Sequence, residues 1–362
     1  MSRFSDTRFL TRRRALSAKL AGQRIDSMLV THLTHVRFLS NFSGSNAALL
    51  VNKDLTAKIC TDGRYTTQIA EEVPDIDALI ERNSASALLA TVTGPRRVGF
   101  EADYVSVAQL EKLKEAAGDD VVLVPVTGVI EELRLLKDAT SLERLRDVAA
   151  LATGCLEQLL AGPIKGRTER DVAAELEYLM RKAGAERPSF DTIMASGENS
   201  AKPHHGAGDR VIQDGDFLTI DFGAHDRGFN SDMTRTFVVG EPSEQQREIY
   251  NLVLQAQLAG VAAATPGTAL SDVDKACRDI IEAGGYGDYF VHSTGHGVGL
   301  DVHEAPYAAK TGEGVLEEGM TLTIEPGIYV PGVGGVRIED TLIITGGAPE
   351  IITVMSKDLR VL

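Results

Sequence analysis

Apolar and polar positions follow one rhythm in the first third of this chain and a different one afterwards. From Asp26 to about Thr127, short apolar runs at Ser27 to Val30, Ala47 to Val51, Arg97 to Phe100 and Val121 to Val124 alternate with helical patterns such as Val105 to Ala117. That alternation predicts an α/β domain. Ahead of it, Phe9, Leu10, Leu16 and Leu20 fall on one helical face and predict a first helix. Past Val126 the character changes, and Leu136, Lys137, Asp138, Ala139 and Thr140 lead into long helical patterns at Ser141 to Ala161 and Thr168 to Ala183. Thr168, after Gly166, is the expected N-cap of the second. Two further helices are expected at Glu244 to Ala264 and Ser271 to Ala283. Strand patterns occupy Phe217 to Phe222, Met233 to Val239, Thr321 to Ile324, Gly335 to Ile338 and Thr341 to Thr345. This mixture predicts an α+β domain with mostly antiparallel sheet. The expected organisation is an N-terminal domain over residues 1–130 and a second domain over 138–362.

Composition narrows the class. With 362 residues, 43% hydrophobic and 25% charged, the chain is long enough for two cores and is neither disordered nor collagenous. No run of 18 apolar residues suggests a membrane span, and no apolar stretch near Met1 resembles a secretory signal, so the expected compartment is the cytoplasm. Arg3, Arg8, Arg12, Arg13, Arg14, Lys19 and Arg24 against the single acid Asp6 leave an organelle-targeting segment as the alternative to a first helix. Cys60, Cys155 and Cys277 are far apart, which fits neither a disulfide framework nor a zinc ribbon. The formal net charge is −15, and residues 201–362 carry 24 acidic against 11 basic residues. That sign disfavours nucleic acid and raises the question of what the acids are for.

Four of them stand in apolar surroundings. Asp221 lies in Phe217-Leu218-Thr219-Ile220-Asp221-Phe222-Gly223, and Asp232 follows a turn containing Gly228 that would fold the second strand back on the first. Glu325 ends Thr321-Leu322-Thr323-Ile324, and Glu339 lies in Val336-Arg337-Ile338-Glu339-Asp340. Any one of these alone reads as an ordinary salt-bridged or surface acid. Together they outnumber the nearby basic residues, whereas two divalent cations would balance four carboxylates. His296, between Gly295 and Gly297, is the expected fifth ligand. His292 and His296 have the spacing of a helical zinc-binding pair, but the glycines oppose a helix and no Glu follows His292. A mostly carboxylate donor set with one imidazole suits Mn²⁺ first, with Co²⁺ or Zn²⁺ as alternatives.

The ligand order Asp, Asp, His, Glu, Glu resembles the pita-bread metallopeptidases, the family of creatinase, aminopeptidase P and prolidase. The resemblance extends through Pro203-His204, Ser231-Asp232-Met233-Thr234-Arg235-Thr236, His296-Gly297-Val298-Gly299-Leu300, Val302-His303-Glu304, Ile324-Glu325-Pro326-Gly327 and Val336-Arg337-Ile338-Glu339-Asp340. Phe42-Ser43-Gly44-Ser45-Asn46 and Thr61-Asp62-Gly63-Arg64-Tyr65 resemble the creatinase/prolidase N-terminal domain. The implied fold is a creatinase-like α/β domain followed by a pita-bread α+β catalytic domain.

The resemblance implies a dinuclear peptidase cutting Xaa-Pro bonds in short proline-containing peptides. Asp221 and Glu339 are the expected bridging ligands, Asp232 completes one ion's shell, and His296 with Glu325 completes the other's. Two cations about 3.5 to 4 Å apart share a water and lower its pKa. Glu325 is also the expected proton carrier, His303 the donor to the substrate carbonyl, and His204 a contact to substrate backbone or an aid to proton transfer. His292 is expected to line the proline pocket. Arg337 is expected at the substrate side or behind Glu339. His205 is the residue most easily confused with His204, and His225 is expected to be exposed. After His303-Glu304-Ala305-Pro306 comes Tyr307, where the resemblance to prolidases implies an arginine; this departure favours an aminopeptidase P-like enzyme over a dipeptide-restricted prolidase. Arg64 is either solvent-facing or a contributor to a neighbouring subunit's site in a homodimer. A metal-free binding module on the same scaffold is the remaining alternative.

Overall fold

The computed structural model describes residues 7–362. Arg3 and Asp6 of the basic opening segment lie outside the described residues. The chain divides into two compact units, Met1–Arg134 and Leu135–Leu362.

In the first unit the helix Thr7–Gly22 buries Phe9, Leu16 and Leu20, while Leu10 is half-buried. Arg13 shares the buried face because its guanidinium donates to the Leu39 carbonyl at 2.9 Å and to Asp75. A six-stranded mixed sheet follows, in spatial order Asp77–Ile80, Ala57–Thr61, Ala47–Asn52, Ser27–Val30, Arg96–Glu101, Val121–Val126. Ala57–Thr61 and Asp77–Ile80 were not foreseen: Lys58 interrupts one, and the other is a four-residue, mostly exposed edge strand. Glu101 closes the end of a central strand by accepting the backbone N–H groups of Thr31 and His32 at 2.6 and 2.8 Å, with the His35 Nδ1 against its other oxygen.

The second unit is built from two similar halves, each a helix pair packed on antiparallel strands. Asp138 caps Ala139–Leu160 through the Ser141 N–H, and Thr168 caps Glu169–Ala183 through the Asp171 N–H. Their apolar faces, including Leu156, Val172, Leu176 and Met180, cover strands Ile193–Ser196, Phe217–Phe222 and Met233–Val238. In the other half, a capping box between Ser243 and Gln246 starts Glu244–Ala263, and Leu270–Ala283 follows. Val253 and Cys277 pack there with Leu322, Ile324 and Leu342 of strands Thr321–Ile324 and Asp340–Ile343. Each fully buried Leu or Ile contributes roughly 1.5–3 kcal/mol, so the two cores hold these strands firmly in place. All three cysteines are free and buried. Among the described residues no helix is long and apolar enough to cross a membrane.

Candidate metal centre

The hairpin that carries Asp221 and Asp232 has the register Thr234 opposite Asp221 and Met233 opposite Phe222. Beyond it the strands pair again, His225 with Asn230, around a two-residue turn at Arg227 and Gly228, both at positive φ (49° and 89°). Gly223 stands between the two paired stretches because a Cβ there would meet the Ser231 carbonyl oxygen at 1.8 Å. That close approach brings Asp232 back beside Asp221. In the second half, Gly295 fills the same need: a Cβ would lie 1.8 Å from the Thr323 carbonyl oxygen. His296 is thereby laid against the strand that ends in Glu325, its N–H donating to Thr323 Oγ1 at 3.0 Å. Glu339 occupies the break between strands Gly334–Arg337 and Asp340–Ile343. Asp232, Glu325 and Glu339 therefore sit just outside strand ends, while Asp221 stays within its ladder, one residue from the end of its strand.

All five expected ligand side chains converge. Donor atoms of Asp221, Asp232 and Glu339 lie within 4.8 Å of one another, as do those of His296, Glu325 and Glu339, and those of Asp232, His296 and His303. Asp232 and Glu339 are shared between the two ends of the cluster, whereas Asp221 belongs to one end only. Arg337 Nη2 donates to Asp221 Oδ2 at 2.6 Å and ties up that oxygen. Thr234 Oγ1 donates to Glu339 Oε2 at 2.7 Å.

Electrostatics mark the cluster as incomplete in protein groups alone. Burial raises the pKa of Asp221 and, with the charges of the neighbouring acids added, lifts Asp232 and Glu339 well above the usual carboxylate range. Burial works the same way on Glu325, but the hydrogen bond and charge of His296 outweigh it and hold Glu325 at about 2. Among the described residues, Arg337 sets one guanidinium against these four carboxylates. Asp221 Oδ1 is buried and has no hydrogen-bond partner. An orphaned carboxylate oxygen facing two other acids is what a divalent cation would satisfy, and hard oxygen donors with one imidazole fit such an ion.

The remaining expected residues fall around this cluster with different fates. His303 is exposed, and its ring meets that of His296 edge to face with centroids 4.4 Å apart. Burial and the charge of His296 lower its pKa. His292 has both ring nitrogens engaged, Nδ1 with the Ser293 carbonyl and Nε2 with the Tyr329 hydroxyl, each at 2.8 Å. It presents a ring surface, not a free donor. His204 is exposed, and its charge acts on both His292 and His303.

Arg337 departs from expectation. It is 2% exposed, and its donors go to Asp221, Tyr329 Oη, Thr234 Oγ1 and the Pro203 carbonyl. It holds Asp221 and not Glu339. His225, expected to be exposed, is 6% exposed because its ring bonds Asn230 Oδ1 at 2.9 Å inside the paired hairpin. Arg64 forms a two-pronged ion pair with Asp62. Sequence reading missed Tyr329 and Glu169: no element was expected around Tyr329, and Glu169 looked like an ordinary first-turn helix acid.

Comparison with known proteins places this geometry. Residues 143–346 match the profile of Metallopeptidase family M24, and residues 12–136 match that of the Creatinase/Prolidase N-terminal domain. A Pyrococcus furiosus protein named Xaa-Pro dipeptidase is 48% identical over 234 residues, 65% of this chain and 67% of that protein. The solved structure of an Xaa-Pro dipeptidase from Bacillus anthracis superposes with a TM-score of 0.93 at 40% identity, covering 98% of this chain and 100% of the other. An X-Pro aminopeptidase from Thermotoga maritima gives a TM-score of 0.89 at 32% identity, covering 97% of this chain and 99% of the other.

Proposed function

Because this chain belongs to metallopeptidase family M24 and carries a creatinase/prolidase N-terminal domain, we propose that it is an Xaa-Pro dipeptidase that works with two divalent cations. The observation that carries the hydrolytic reading is the convergence of four buried or half-buried acids and one histidine around an unpartnered carboxylate oxygen. Asp221, Asp232, His296, Glu325 and Glu339 would hold the ions. When bound, the cations supply Lewis acidity: they lower the pKa of a water and polarise the scissile carbonyl. The donor set favours Mn²⁺.

The chain's own groups divide the remaining work. Glu325 is half-buried while the other four ligands are buried, so it is the carboxylate turned toward the open side. It takes a proton there and passes it to the leaving proline nitrogen. His303, whose environment favours the neutral ring, donates an N–H to the carbonyl oxygen. His204 contacts the substrate backbone from the opposite loop. His292, fixed by Ser293 and Tyr329, offers its ring as an apolar wall for a proline side chain. The imide nitrogen of proline has no hydrogen and fixes a ring beside the scissile bond, which is why such a bond calls for a dedicated pocket.

Dipeptide restriction is supported by the relatives named Xaa-Pro dipeptidase, and it replaces the expectation of an aminopeptidase P-like enzyme as the main reading. That second reading keeps one observation in its favour: Tyr307 is 50% exposed and opposite His296 in the strand register, beside the site. Hydrolysis of Ala-Pro and Ala-Pro-Ala by the Mn²⁺-loaded protein decides between them. Cleavage of Ala-Pro alone is the expected result; cleavage of both identifies the aminopeptidase, and cleavage of neither overturns the Xaa-Pro reading.

A further inference from the structure

His204, the proposed contact to substrate backbone, has no side-chain anchor of its own among the described residues. It is exposed, and its ring makes no hydrogen bond to protein among the described residues. Its position is therefore set by the backbone on either side. On one side the Pro203 carbonyl accepts from Arg337 Nη1 at 3.3 Å. On the other, His205 turns away from the site and donates Nε2–H to Glu169 Oε2 at 2.8 Å.

Glu169 is an unusual partner. It lies at the first turn of a helix with 0% exposure, a position where a carboxylate normally stays in water. Here it is fully enclosed by donors: Oε1 accepts from the Ser196 N–H, Ser196 Oγ and Asn199 Nδ2 at 2.8, 2.7 and 3.0 Å. Oε2 accepts from His205 and from the Gly208 N–H, the latter at 3.1 Å. One carboxylate thus gathers four points of the segment from residue 196 to residue 208. Such a satisfied buried network specifies a single loop conformation.

We propose that His205 and Glu169 form a positioning pair that fixes His204 for substrate contact, from outside the metal shell. The claim rests on the hydrolase reading for its kinetic consequence but not for its structural one. Neither residue touches substrate or a metal ligand; they act through the loop. His205 is the better probe, because removing it leaves four of the five donors on Glu169 and the fold intact.

The experiment compares wild type, His205→Ala, His205→Gln, His204→Ala and the His204/His205 double alanine variant. Hydrolysis of Ala-Pro is measured with Mn²⁺ and the ring Cε1–H signal of His204 is followed by NMR in metal-free, ¹³C-histidine-labelled protein. His205→Ala is expected to keep its melting temperature within a few degrees and its Mn²⁺ stoichiometry, to broaden or split the His204 signal, and to lower kcat by about tenfold. A misplacement of about 1 Å can cost up to 10²-fold. His205→Gln, which retains a donor, restores both to within about threefold of wild type, and the double variant is no slower than His204→Ala, since the two act as one unit. Unchanged kcat with an unchanged His204 signal in His205→Ala overturns the proposal, as does a double variant whose losses multiply. If wild type fails to cleave Ala-Pro while the His204 signal still splits in His205→Ala, the positioning role stands and the substrate assignment fails.

Discussion

Glu339 and Asp340 are adjacent, both buried, and electrostatically opposite. Asp340 is 0% exposed, yet Arg235 Nη2 at 2.7 Å, Lys357 Nζ at 2.7 Å and Gln257 Nε2 at 2.9 Å surround it. Burial alone would raise its pKa, but the charges of Arg235 and Lys357 hold it below the usual carboxylate value. Glu339, on the other side of the chain, faces Glu325, Asp221 and Asp232 and is driven well above that value by burial and those charges. The protein has thus solved the same problem twice within two residues. One carboxylate is neutralised by the chain itself, and the other is left for something the chain does not contain. A buried acid is diagnostic of a metal site only when its counter-charges are missing.

The comparison can be broken first at the metal side. Asp232→Ala removes one of the proposed metal ligands and should lower kcat by about 10³-fold or more, several kcal/mol of transition-state stabilisation, together with loss of bound metal by elemental analysis. On the Asp340 side the damage should be to stability. Asp340→Ala leaves Arg235 and Lys357 without their carboxylate, a cost of about 3–5 kcal/mol, seen as a shifted denaturant midpoint while the metal stoichiometry of the folded fraction is unchanged. His303→Ala tests the boundary of the metal cluster: it should spare metal content and reduce kcat by about 10²-fold.

The exposed pair Arg146 and Glu350 supplies the smallest effect. Its two hydrogen bonds are 2.7 Å long, and they hold Glu350 below its ordinary pKa. Both side chains are more than a third exposed, 44% and 38%, so solvent screening limits the pair to under about 1 kcal/mol. A lowered folded-state pKa means that this contribution is present above the unfolded value near 4.3 and fades as pH falls below it. Arg146→Ala should therefore lose little stability at pH 7 and flatten only the acid edge of the stability curve.

Much of this was legible in the sequence, and the parts that were not share physical causes. Strands Phe217–Phe222 and Thr321–Ile324 and the four helices of the second unit were marked by periodicity and capping residues. The acids were legible because Asp221 and Glu325 interrupt or end β-branched, apolar runs. Strands Gly295–Gly297 and Glu304–Ala308 were not, because they are short and rich in Gly, Ala or Pro, which argue against strands locally; Gly327–Val330 has β-forming residues but is only four residues long and follows Pro326. Their pairing is imposed by tertiary contact. That Arg337 reaches across to Asp221 was beyond the sequence, since the two are brought together only by tertiary contact. Glu169 reads as a routine first-turn acid, and nothing local distinguishes it from Glu244, which stands at the same position of another helix.

The central claim is that the acids around Asp221 are held together by divalent cations. Metal-free, Asp232 and Glu339 have folded-state pKa values raised above their unfolded ones, so their contribution to stability is fully present below about pH 4 and is lost as pH rises toward the folded values. Calorimetric titration of the chelator-stripped protein with Mn²⁺ near pH 7, in buffers of different ionisation enthalpy, tests this most directly. The account predicts saturation at two ions per chain with release of protons from the acids, both abolished in Asp232→Ala. Absence of saturable binding, or binding that survives in Asp232→Ala with no proton release, would contradict it.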